Sequence, residues 1–329
     1  MLGSGAVRVA TCLVSVVLVA LPSSALADPM STSPEQAYDM GQVPQARAVG
    51  MGDALNAIGV GTPALYMNPA NMAMARLYHL EAFGAYSPEA QRDTFGLSIV
   101  DSMINAQHIA GGIGGTWNEI DPDGLHRVWT DIRAAIAFPL GDYVALGVAG
   151  RYLHVDQHTG VGPLGPSTAS DGTSSGSVFN QLTFDVGATV ALGDFRIGAV
   201  GHNLTNPSTS LAPTTAALGL GYASGIFALE ADGLLDFTTF GSTTERIMGG
   251  GELFLGGHYA LRLGWRYDTG TTLNSPSLGV GYIDPRWSVE LSGRRDITSN
   301  HAATLGVLSL KYFYDAAGTT SHMDEPDAL

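Results

Sequence analysis

The sequence predicts an all-β fold, a transmembrane antiparallel β-barrel of about fourteen strands closed around a small N-terminal helical plug, or hatch. Three observations carry this. From Tyr78 onward apolar and polar residues alternate with period two, in segments about ten residues long, which is the pattern of strands that cross a membrane. Every second connection between those segments is very short, and the ones between are longer and polar. Ahead of the strands lies one stretch of a different kind, 46–73, broken by Gly50, Gly52, Gly59 and Gly61. Apolar residues make up 45% of the chain and charged residues only 14%, yet no apolar run after residue 27 is long enough for a membrane helix. Apolar content without helices points to strands.

Residues 1–27 read as a cleaved signal peptide. Arg8 precedes an apolar run from Val9 to Leu21, and Ala25-Leu26-Ala27 forms a small-residue cleavage site before Asp28. Cys12, inside that segment, is the only cysteine, so disulfides, thiol catalysis and cysteine metal sites are excluded from the mature chain. The net charge of -15 argues against a nucleic-acid partner. Residues 28–77 comprise a polar lead-in and the plug. Within the plug, Asp53 sits as an N-cap before Ala54, Leu55, Ala57 and Ile58, which have helical spacing. Thr62-Pro63 and Asn68-Pro69 repeat the pattern of a capping residue followed by proline at the first helical position. The expectation is two or three single-turn helices bent on one another, too small to stand alone in water and therefore packed inside a larger element.

The barrel is expected over 78–314, with strands at 78–86, 93–101, 107–118, 127–138, 142–155, 179–192, 195–203, 213–223, 225–237, 245–255, 258–267, 276–283, 286–294 and 301–314. In 258–267, for example, Tyr259, Leu261, Leu263, Trp265 and Tyr267 share one face while Arg262 and Arg266 share the other. Short turns at one end and long loops at the other place the short turns in the periplasm. Two aromatic girdles agree with this: Tyr143, Phe195, Tyr222, Phe227, Tyr259, Tyr282 and Trp287 lie near the short turns, and Tyr86, Trp117, Trp129, Tyr152, Phe179, Phe237 and Trp265 near the long loops. A polar tail, 315–329, follows the last strand.

Arg47-Ala48-Val49-Gly50-Met51-Gly52-Asp53-Ala54, followed by Ala64-Leu65-Tyr66-Met67-Asn68-Pro69-Ala70, resembles the hatch of the FadL long-chain fatty acid and aromatic hydrocarbon transporter family (OmpP1/FadL/TodX), particularly its short PorV/PorQ-like relatives. The resemblance implies a plug that fills the lumen from the periplasmic side. Asn68, Pro69 and Ala70 would hold the hatch turn, and Gly50 and Gly52 would allow its close approach to the wall. The chain departs from the family in three ways. Gly59-Val60-Gly61 stands where many relatives carry an acidic pair, the outer loops lack helical insertions, and the last strand does not end the chain.

On the strand phase assigned here, the inward face carries Asp131, Arg133, Arg151, Asp185, Arg196, His202, Glu230, Asp232, Glu252, Arg262, Arg266, Glu290 and Arg294. Facing lipid, such charges would cost a few kcal/mol each, about 2–4 for arginine or lysine near the midplane, which ties the phase to physics. These charges serve either as a polar path or as an ion-pair lattice stiffening the lumen. His154, Asp156 and His158 alternate at the rim with the spacing of a two-histidine-one-carboxylate metal site, but a polar loop also begins there. Asp123/His126 and Asp156/His158 come with no nucleophile, so no enzyme and no cofactor are expected. Two functions follow from the resemblance. One is uptake of a hydrophobic or amphipathic small molecule across the outer membrane, with Leu55, Ile58 and Leu65 as apolar ligand contacts. The other is a non-transporting barrel, surrounded by outer-membrane lipid, that docks protein partners through loop 156–178.

Overall fold

The computed structural model describes residues 39, 41–103, 109–121, 127–157, 176–207, 211–240, 242–298 and 303–314. Fourteen strands form a closed antiparallel barrel: β1 (Tyr78–Ser87), β2 (Arg92–Asp101), β3 (Ala110–Ile120), β4 (Arg127–Leu140), β5 (Val144–Gln157), β6 (Gly176–Leu192), β7 (Phe195–His202), β8 (Thr215–Ala223), β9 (Phe227–Asp236), β10 (Thr244–Leu255), β11 (Tyr259–Asp268), β12 (Leu273–Ile283), β13 (Trp287–Arg295) and β14 (Thr304–Tyr314). The first and last strands pair from Tyr78 opposite Tyr314 to Tyr86 opposite Gly306, so the sheet has no free edge, which is what lets strands cross lipid.

The outer face is apolar. Leu218, Leu220 and Leu263 are 60%, 56% and 68% exposed, while the opposite parity of β11 buries Arg262 and Arg266. At the short-turn end, rings form two clusters, one with Phe195 to Tyr222 at 5.0 Å and Tyr222 to Phe227 at 5.3 Å, the other with Tyr259 to Tyr282 at 5.5 Å and Tyr282 to Trp287 at 5.3 Å. Tyr86, Trp117, Tyr152, Phe237 and Trp265 stand exposed at the other end. Trp129 does not join them. It shares the parity of Asp131, so it points inward, 2% exposed, beneath the Arg92 guanidinium. The side chain of Phe179 lies outside the described residues.

β7 ends early, at His202, whereas β6 begins far above it; the β6–β7 ladder starts only at Val186 opposite Gly201. Beyond β7 the chain turns inward. Asn203 and Asn206 take left-handed φ of 53° and 48°, and Leu211 and Ala212 pack against Ile120, Trp129, Leu153 and Val155 across the long-loop mouth.

Within the lumen the plug has helix α1 (Ala46–Gly50), helix α2 (Thr62–Tyr66) and a 3₁₀ turn (Pro69–Met74). Two expectations are corrected here. Asp53 caps no helix: it has φ 65°, its carboxylate is taken by Arg266 and Arg294 of the wall, and 54–58 forms turns rather than a helix. Thr62 is already inside α2, whose cap is Gly61 at φ 71°; its hydroxyl is drawn instead to Glu81. Asn68 does cap as expected, its Oδ1 accepting from the Ala70 N–H at 3.2 Å.

Candidate functional site: the plug and its charged wall

The plug crosses the lumen between strands whose inward parity supplies charge, and three networks tie it down. Near the short-turn end, Arg47 of α1 meets Glu252 at 2.9 Å, Glu252 meets Arg262 at 2.6 Å, Arg262 meets Glu290 at 2.9 Å, and Glu290 meets Lys311 at 2.9 Å. Near the long-loop end, Asp39 bridges Arg246 at 3.0 Å and Arg266 at 3.1 Å, and Asp53 bridges Arg266 at 3.0 Å and Arg294 at 2.8 Å. On the β4–β7 side, Asp131 binds Arg133 at 3.3 Å and Arg151 at 2.7 Å, and Asp185 binds His202 at 3.1 Å. These ions are buried, so each charge depends on its partners.

A different contact holds the middle of the plug. Glu230 accepts the Ala57 and Ile58 N–H groups at 2.5 and 2.9 Å, and Asp232 accepts the Asn56 N–H at 3.1 Å and its Nδ2 at 2.8 Å. Wall carboxylates thus satisfy the backbone donors of a turn that has no helix of its own. Asn68 completes the knot: its Nδ2 donates to the Asn56 carbonyl at 2.8 Å and to Thr189 Oγ1 at 3.1 Å. Asn68→Ala removes a cap and two tertiary donors together, an expected loss of about 2 kcal/mol. In planar bilayers this variant should raise leak to small ions; unchanged conductance would count against a fastening role.

Asp39 was not among the expected site residues, because its segment has no periodicity to betray it. Burial alone would push its carboxyl up, but Arg266, Arg246 and Arg294 outweigh the burial and hold it well below the usual carboxylate range. A depressed native pKa stabilises the plug above the unfolded value of about 4, and that contribution fades as pH falls from there toward the native pKa. Protease protection of 39–53 should therefore weaken below about pH 4, and Asp39→Asn should flatten that dependence. Arg246, Glu81 and Lys311 were also missed, although the same alternation that placed Arg266 inward applies to them.

The plug meets the wall at glycines. A Cβ on Gly250 would sit 2.3 Å from the Met51 carbonyl oxygen, one on Gly264 2.1 Å from the Gly52 nitrogen, and one on Gly147 2.4 Å from the Ala70 nitrogen. Gly52 itself has φ 67° and lies against the Trp265 backbone, and Gly50 lies against Ser292 and Arg262. Two cavities flank the plug. One of about 80 Å3, toward the long-loop end, is lined by Tyr66, Met67, Arg133, His202, Leu234 and Met248 among others. The other, about 30 Å3, lies toward the short-turn end between Arg47, His79, Glu252, Phe254, Ile283 and Phe313.

Leu55, Ile58 and Leu65 line neither cavity. They are 0%, 2% and 0% exposed and pack between plug and wall. Arg196 is buried on the inward face, as its parity requires. His154 Nε2 lies 3.1 Å from Asp156, while His158, Asp123 and His126 are outside the described residues. Among the described residues no group of three or more His, Cys, Asp or Glu is placed to hold a metal.

Closed barrel, apolar belt, charged lumen and inserted N-terminal knot together define a plugged transmembrane β-barrel. No family model and no curated protein matches the sequence. Solved structures match the fold. The Ralstonia pickettii toluene transporter TbuX aligns over 84% of this chain and 100% of its own, at TM-score 0.60 and 12% identity. The Pseudomonas putida toluene transporter TodX aligns over 83% and 98%, at TM-score 0.56 and 11% identity. A Pseudomonas aeruginosa FadL homologue aligns over 83% and 99%, at TM-score 0.56 and 14% identity. The resemblance carried by residues 46–73 therefore extends to the whole fold.

Proposed function

We propose that this protein resides in the outer membrane and takes up a small hydrophobic or amphipathic molecule past its plug. One observation carries the reading: the two cavities lie on opposite faces of the plug along a single strand. The inward face of β10 presents Met248 to the larger cavity and Glu252 and Phe254 to the smaller one. The inward position of β10 between them is Gly250, against the Met51 backbone. On the β10–β11 side of the lumen the seal is one turn of backbone, 51–53, closed on Gly250 and Gly264 of the wall and latched by Asp53.

That two of the similar structures are toluene transporters supports the same class of cargo. An apolar cavity that takes benzene measures roughly 150 Å3, well above the 80 Å3 found here, so passage requires that turn to move. The signal peptide over 1–27, a periplasmic short-turn end and a hatch held by Asn68, Pro69 and Ala70 belong to this proposal. The test is entry of labelled toluene and of labelled benzyl alcohol into proteoliposomes. Entry of either faster than into protein-free vesicles supports uptake, and equal rates for both overturn it.

The density of buried ion pairs around Arg47, Asp39 and Asp53 favours a second reading, a permanently shut PorV/PorQ-like barrel that docks protein partners. Loop 156–178 would be its contact, and 158–175 lies outside the described residues. Equal entry rates, together with a partner cross-linked through that loop in intact cells, would establish it.

A further inference from the structure

The smaller cavity contains an anomaly that the ion-pair networks do not absorb. His79 and Arg47 both line it, and they are 4% and 6% exposed. His79 Nδ1 accepts the Thr62 backbone N–H at 3.1 Å, so in the neutral ring Nε2 carries the proton and is a donor. That Nε2 has no acceptor among the described residues, and neither does the Nε of Arg47. Two residues that line one cavity, one on the wall and one on the plug, thus each carry a buried N–H donor without a partner among the described residues. The rest of its boundary is divided: Phe313 lies over the His79 ring at 4.8 Å between centroids, with Leu77, Phe254 and Ile283 beside it, while the mutually paired Glu252, Arg262, Glu290 and Lys311 line the remainder. At about 30 Å3 the space accepts one polar group, not a ring.

We propose that this is a binding site for the oxygen of a small amphipath, a hydroxyl or carboxylate carried on an apolar body. The oxygen accepts from His79 Nε2 and Arg47 Nε, and the apolar part lies against Phe254 and Phe313 toward the short-turn end. An oxygen-free hydrocarbon leaves both donors unpaired, so the site discriminates by hydrogen bonding rather than by size. Because Arg47 belongs to the plug and His79 to the barrel, the bound oxygen bridges the two parts beside the seal at Met51. The proposal rests on the uptake reading for its cargo and narrows that cargo to oxygenated molecules.

The experiment is equilibrium binding to the purified full-length barrel in detergent, with benzyl alcohol, benzoate and toluene as probes. One or both oxygenates should bind at least tenfold more tightly than toluene, and the better of the two identifies the head group. His79→Asn places an amide oxygen near the position of Nδ1 for Thr62 but deletes the distal donor, and should lower that preference about tenfold. His79→Gln restores a donor near Nε2 and should recover part of it. Retained heat-modifiable mobility on gels shows that each variant is folded. Equal binding of toluene and both oxygenates overturns the site, as does an undiminished preference in folded His79→Asn, or a ligand-soaked structure with only water at the two donors. Oxygenate-selective binding without liposome entry would keep the site and sink uptake, whereas entry without selectivity would do the reverse.

Discussion

Glu252→Ala should destabilise the barrel by about 3–5 kcal/mol, among the largest single-residue effects in the lumen. Glu252 is 2% exposed and accepts from Arg47 of the plug and Arg262 of the wall at 2.9 and 2.6 Å. Without it, Arg47 loses the one ion pair it makes among the described residues, and Arg262 keeps Glu290. An unpaired guanidinium in this setting costs far more than the pair contributed, because desolvation has already been incurred. Urea unfolding in lipid vesicles, followed by tryptophan emission, reads the change. The double variant Arg47→Met/Glu252→Leu, which removes both charges of the plug contact, should recover part of the loss. A single variant within 1 kcal/mol of the native protein would mean that water reaches the network and screens it.

Gly264→Ala should unseat the seal. The added methyl would lie 2.1 Å from the Gly52 nitrogen and 2.4 Å from the Met51 carbonyl carbon. Contacts at that range are backbone on both sides, so no rotamer change relieves them. The wall will not yield first, because β11 is paired along its length, from Tyr259 to Asp268, with both β10 and β12. The 51–53 turn moves instead, stretching Asp53 away from Arg266 and Arg294. The expected cost is about 1–3 kcal/mol, with increased ion conductance and faster solute entry. Gly233→Ala is the control, since a Cβ there meets nothing within 4 Å. Native conductance in folded Gly264→Ala would show that the turn is not the seal.

Much of this arrangement was legible beforehand. Arg262 and Arg266 alternate with Leu261, Leu263 and Trp265, and charge cannot face lipid, so parity alone placed both inside. The same rule places Trp129 inside with Asp131, and it prevails over the preference of tryptophan for the membrane interface, because charge cannot face lipid. Asp53 was misread for a related reason: an aspartate before a short apolar run is a good cap in isolation, but two wall arginines compete for its carboxylate and hold it at φ 65°. Asn68 kept its local role because its cap and its tertiary bonds use different atoms, Oδ1 for Ala70 and Nδ2 for Asn56 and Thr189.

By itself, then, the sequence determined the strands, their phase, the short-turn and long-loop ends and the presence of a glycine-broken plug. Each of these follows from neighbours a few residues apart and from the cost of placing charge in lipid. Only the tertiary structure decided which charges pair, where β7 stops, that Asp39 fastens the plug, and where the two cavities lie. Those features depend on contacts such as Arg47 with Glu252, 205 residues apart in the chain, and on whether a glycine in one strand faces a turn of the plug. Periodicity reports which face a residue occupies, but the partner it meets across the lumen is set by barrel closure and register.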